Sequence, residues 1–88
     1  MLVLVLCRVA DGAEDAEFRR HITAETAALR ELKASGVLAE AWSPGRPGAV
    51  LLLDVPSQAE AAGITAALPL AQAGLITTET IPLHPLDL

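Results

Sequence analysis

LVLVLCRV (Leu2–Val9) is the stretch on which the fold turns. Every residue from Leu2 to Cys7 is apolar, and the run is too short for anything but a strand or a fragment of buried helix. Read as a strand, Leu2, Leu4 and Leu6 line one face, and Val3, Val5 and Cys7 line the other. A strand in a small antiparallel sheet normally alternates apolar with polar, because one face meets water. Here both faces ask for cover, so the chain must supply one layer and something else the second.

Working outward from that strand, ADGAED (Ala10–Asp15) is turn chemistry, and a helical period begins at about Asp15 and runs to Ser35. Phe18, Ile22, Leu29 and Leu32 fall on one stripe. Asp15 is the expected N-cap, and Gly36 suits the position just past the C-terminus. VLAEAWS (Val37–Ser43) alternates as a strand with Leu38, Glu40 and Trp42 on one face. PGRPG (Pro44–Gly48) makes the turn, and AVLLLDV (Ala49–Val55) returns as a second doubly apolar strand, closing a hairpin. Ser57 and Glu60 form a capping box, which starts a helix ending near Leu68, before Pro69. GLITTETI (Gly74–Ile81) is the last strand, with Pro82 and Pro85 expected to stop regular pairing.

The order βαββαβ predicts an α+β, ferredoxin-like domain over residues 1–88: a four-stranded antiparallel sheet with both helices on one face. The other face is left bare and aliphatic. An apolar patch of that size exceeds what soluble monomers expose, so a second copy is the expected cover. The 52% hydrophobic composition of this 88-residue chain points the same way, since a domain this small buries only about 60–65% of its unfolded surface.

Composition also excludes partners. The net charge is −5, with six Lys and Arg, one Trp, one Phe and no Tyr. That leaves neither a basic stripe nor a stacking platform for nucleic acid. No apolar run reaches membrane-spanning length, and no basic amphipathic helix is present to lie on a bilayer. The opening run lacks a preceding basic residue and is too short for a signal peptide. The single Cys7 cannot make an internal disulfide and reads as a small buried hydrophobe, fitting a cytoplasmic protein.

No P-loop, CxxC, HExxH or GxSxG is present. His21 and His84 lie far apart without a third ligand at suitable spacing, so no metal is expected. One position on the first helix stands out. With Phe18 set at zero and 100° per residue, Leu29 lies at about 20° and Leu32 at about 320°. Glu25 lies at about 340°, in the middle of the apolar stripe, and His21, at about 300°, is four residues before it. A carboxylate turned toward a core either finds partners or takes up a proton. Groups so placed are the ones able to exchange protons with a substrate. Glu25 is open to a proton-transfer role, to a structural ion pair with Arg8 or Arg19, or to bending out to solvent at an interface. Trp42 can wall a pocket or belong to core or interface. Arg8, and less so Arg46, can bind an anion, and His84 belongs to a tail that a neighbouring subunit would have to order.

Two segments resemble the muconolactone isomerase family. LLLDVPSQAEAAGITAALPL (Leu51–Leu70) is similar to its strand, DVPS helix start and LPL exit; IPLHP (Ile81–Pro85) is similar to its His-Pro ending. The helix with Glu25, Leu32 and Gly36, followed by Trp42, also aligns. The resemblance implies a ferredoxin-like, dimeric α+β barrel assembled into a homo-oligomer, up to a decamer. It further implies a cofactor-free shift of a double bond in an unsaturated lactone acid. Such chemistry needs a base in a dry pocket and a cation for the substrate carboxylate. From the helical wheel, Glu25 is the expected base and His21 its partner or the acid that returns the proton. Arg8 or Arg19 is the expected carboxylate clamp, and Trp42 a pocket wall. The chain departs from the family where Leu4 replaces an early histidine, and where Leu51, Leu52, Leu53 and Ala71 replace aromatics. A pocket of different shape follows.

RRHITAETAALRELKASGVLAEAW (Arg19–Trp42) also resembles the YCII-related proteins, and the same fold includes cofactorless monooxygenases. The expected function is a cofactor-free isomerase-like enzyme acting on a small hydrophobic organic acid or lactone. The alternatives are a non-catalytic oligomeric ligand-binding or accessory protein, and a YCII-like or monooxygenase-type enzyme.

Overall fold

The chain, described over residues 1–88 by a computed structural model, begins with β1 at Leu2–Val9, and everything else is laid against it. Then come α1 (Asp15–Ala34), β2 (Leu38–Trp42), β3 (Gly48–Asp54), α2 (Gln58–Ala66), a short α3 (Pro69–Gln72) and β4 (Ile76–Leu83). The strands form one antiparallel sheet in the order β2-β3-β1-β4. This is the ferredoxin-like arrangement expected from the element order.

Strand parity sorts the side chains into two layers. Val3, Val5 and Cys7 pair with Leu53, Leu51 and Ala49. The first five of these six are buried, and they join Ala61, Leu68 and Leu70 from the helical segments in a single core. Leu4 and Leu6, with their partners Leu52 and Val50, occupy the opposite face and are only half-buried. Leu2 at 42% and Leu83 at 39% extend that uncovered layer, so the bare aliphatic face is real within one chain.

Three local expectations are corrected. The first helix is capped at Glu14 without a side-chain bond, rather than by Asp15. A β-bulge between Leu38 and Glu40 reverses the side-chain parity of β2. Leu38 is therefore buried on the helix side, while Trp42 pairs with Val50 on the bare face. Finally, Pro82 does not stop β4, which continues to Leu83 with Pro82 opposite Val3. β4 is an edge strand, where a proline can turn its missing donor away from the ladder.

Other signals act as read. Ser57 Oγ accepts the Glu60 N–H at 3.2 Å, starting α2. Gly36, at φ +85°, takes the left-handed turn after α1. The second helix ends before Pro69, as read, but Pro69 also begins the short α3, where its fixed φ suits a helix start and which the sequence did not suggest.

Candidate active site

The apolar stripe of α1 does not sink into the sheet. Phe18, Leu29 and Leu32 are half-buried and Ile22 is 41% exposed. The one fully buried residue of this 20-residue helix is Glu25, at 6% exposure. The packing of α1 explains this, since its main neighbours are α3 and β2 rather than the central strands. Between α1 and the β1–β3 surface lies a cavity of about 380 Å³. Cys7 and Leu51 line it from the sheet, Phe18, Ile22 and Glu25 from the helix, and Leu70 from α3.

The Glu25 carboxyl is held at one oxygen. Its Oε1 accepts the backbone N–H of Leu70 at 2.9 Å. That N–H, in the first turn of α3, has no helical acceptor of its own. Oε2 accepts no hydrogen bond from the chain, yet no sealed-off side-chain oxygen or nitrogen lacks a partner. Oε2 therefore keeps some accessible surface, and Glu25 is among the residues lining the cavity. No cation pairs with Glu25, which removes the expected ion pair to Arg8 or Arg19.

Cys7 faces the same space. Its thiol is pushed up from 9.0 to about 11, first by burial and then by the negative charge of Glu25. At neutral pH it is an uncharged S–H, able to donate weakly but not to attack. Thr26 adds a hydroxyl to the lining, and Asp15 a carboxylate.

Of the candidate site residues named from sequence (Glu25, His21, Arg8, Arg19, Trp42), only Glu25 borders this cavity. His21 Nδ1 lies 2.9 Å from the Glu17 carbonyl oxygen, and no hydrogen bond joins it to Glu25. Arg8 projects from the bare face, where it meets Glu79 at 3.2 Å. Arg19 is exposed on α1, and Trp42 stands 49% exposed across the sheet. Thr26 and the Leu70 amide were not read from sequence as part of a site, and Cys7 and Asp15 were read only as a buried hydrophobe and a helix cap. Parity with Val3 and Val5 marks Cys7 as facing the helices. No side-chain pattern marks the amide.

The sequence profile of the muconolactone delta-isomerase family matches residues 1–87. The chain belongs to that family. Among solved structures, that of muconolactone isomerase superposes with a TM-score of 0.79 at 20% identity, over 99% of this chain and 92% of that one. A second is 5-chloro-2-hydroxyhydroquinone dehydrochlorinase from Burkholderia phenoliruptrix AC1100, in complex with 2,5-dihydroxybenzoquinone. It superposes with a TM-score of 0.74 at 21% identity, over 96% of this chain and 94% of that one. At these identities the likeness speaks for the fold. No curated protein sequence matches significantly. No helix is long and apolar enough to cross a membrane.

Proposed function

We propose that this protein is a cofactor-free enzyme that shifts a double bond in a small unsaturated lactone or organic acid, with Glu25 as the base. The observation that carries this reading is the half-used carboxyl: Oε1 is fixed by the Leu70 N–H, while Oε2 has no partner in the chain and Glu25 lines a largely apolar cavity. A carboxylate so placed is oriented before substrate arrives and needs little reorganisation to react. Oε2 takes a proton from the saturated γ-carbon at the far end of the conjugated C=C–C=O system, leaving a dienolate delocalised over that system. The resulting carboxylic acid returns that proton to the α-carbon beside the carbonyl, leaving the double bond between the β- and γ-carbons. Bonds, charge and protons balance without an oxidant, a metal or a second substrate. Thr26 Oγ1 and the neutral Cys7 S–H are the side-chain donors available to the developing oxygen charge. His21, Arg8, Arg19 and Trp42 have no step in this scheme.

The uncovered sheet face supports a second element, a homo-oligomer in which two sheets meet through Leu4, Leu6, Val50, Leu52 and Ile81. Trp42 at the rim supplies the large, partly exposed aromatic that such interfaces favour.

The test is turnover of muconolactone by wild type and by Glu25→Gln, with assembly followed by light scattering. Losing a general base lowers the rate by about 10²–10⁴. An unchanged rate in a correctly assembled Glu25→Gln variant removes Glu25 from the mechanism. An inert wild type that still binds the lactone would favour a ligand-binding protein.

A further inference from the structure

Resting on the reading of Glu25 as the base, we infer that the cavity takes an unsaturated lactone bearing an apolar chain of about four or five carbons, seated between α1 and the sheet at the end away from Glu25. A cavity of about 150 Å³ holds one benzene, or about 25 Å³ per non-hydrogen atom. At that packing, the cavity of about 380 Å³ takes about fifteen such atoms. Muconolactone has about ten, so a lactone of its size leaves room for about five more. Ten of the fifteen lining residues are hydrophobic, so the spare room suits carbon.

The walls place that room. Glu25 stands beside Leu70, whose N–H it accepts. Phe18 precedes it by two turns of α1, about 10 Å along the axis. Val9, Ala13 and Phe18 line that outer end, together with Ile76, the β4 partner of Val9. The carboxylate nearest them in sequence, Asp15, is exposed at the start of α1. Ile22, between Phe18 and Glu25 on the helix, lines the cavity and is 41% exposed. Apolar side chains held off the sheet in this way lack partner atoms on one side, and an alkyl chain laid between them supplies those contacts. The cavity belongs to the helix side of the sheet, since Val9, Ala49 and Leu51 share the parity of Val3 and Val5. The bare face, through Leu4, Leu6, Val50 and Leu52, is the opposite one. Two sheets meeting there leave the cavity to its ligand.

The experiment gives the assembled protein muconolactone and a series of its analogues with methyl, propyl, butyl, hexyl or octyl on the β-carbon. Every member keeps the carboxylate and the γ-hydrogen, so only the apolar chain varies. Calorimetry gives Kd, and proton NMR follows the shift of the double bond. Each methylene that enters the cavity should tighten Kd about fourfold, up to butyl. Octyl should fall back, because it exceeds the room by about three carbons. Ala13→Leu adds about three carbons to the wall at the outer end and should move the optimum to methyl. A Kd independent of chain length overturns the inference. So does a Kd that weakens from methyl onward, as it would if a neighbouring subunit filled that end, or an optimum that Ala13→Leu leaves at butyl. In any of these cases, turnover of muconolactone that Glu25→Gln abolishes leaves the proton-transfer reading intact. Conversely, a Kd that tightens to butyl without a double-bond shift in any member sustains the apolar site and defeats Glu25 as the base.

Discussion

The Leu70 N–H and the Glu25 carboxyl make a stability prediction that separates a poised base from a structural charge. Glu25→Gln keeps an acceptor of the same length at Oε1, so the 2.9 Å bond survives. With no cation partnered to Glu25, neutralising it strands nothing, and the expected change is within about 1 kcal/mol. Glu25→Ala removes the acceptor and leaves the N–H of Leu70, a residue only 4% exposed, unsatisfied. That costs about 1–3 kcal/mol, and the lost side-chain stem adds about 1 kcal/mol of apolar contact. The sum is roughly 2–4 kcal/mol. Denaturant titrations of wild type and both variants, at one protein concentration so that assembly contributes equally, measure the two differences. If Gln destabilises as much as Ala, the negative charge itself supports the fold, and the reasoning from a half-used carboxyl fails.

Three further outcomes follow from the same structure. Burial raises the Cys7 thiol from 9.0 to about 11, so the unfolded chain ionises first as pH rises. Wild type should therefore lose stability relative to Cys7→Ala between about pH 9 and 11, by up to roughly 3 kcal/mol, in urea titrations across that range. A methyl group added at Gly48, which sits at φ +133°, would overlap the Cys7 carbonyl oxygen. Gly48→Ala should cost about 1–3 kcal/mol in the same titrations and disturb the cavity rim. Leu4→Lys puts a charge at the centre of the bare face, and it should shift the protein toward monomer in light scattering without removing its helical circular dichroism.

Much of this architecture is written in short-range pattern. The two-sided apolarity of Leu2–Cys7, the Pro44–Gly48 turn and the Ser57 cap each specify local geometry, and together they leave one topology. The helical wheel likewise places Glu25 inward, because 100° per residue is a property of the backbone. What escaped was tertiary. Pro69 is compatible with ending one helix or beginning the next, and only the packing of Leu70 into the core decides between them. The acceptor relation between Glu25 and that segment spans 45 residues and ends on a backbone amide, to which side-chain identity gives no clue. Arg8 was legible in principle. It shares parity with Leu2, Leu4 and Leu6, so a clamp on the helix side was excluded by the strand itself. His21 was a closer case: its position on the stripe's edge allowed either Glu25 or the preceding turn, and it bonds the Glu17 carbonyl. The bulge before Glu40, which sends Trp42 to the bare face, leaves no mark in the residue types.

The most direct test of the central claim, that the space beneath α1 is where Glu25 meets its substrate, is a crystal structure of the protein with a bound unsaturated lactone. The account predicts the ligand's acidic carbon about 3–3.5 Å from Oε2, with Oε1 still on the Leu70 N–H. A lactone seated elsewhere, or a Glu25 carboxyl turned away from it, would contradict the claim.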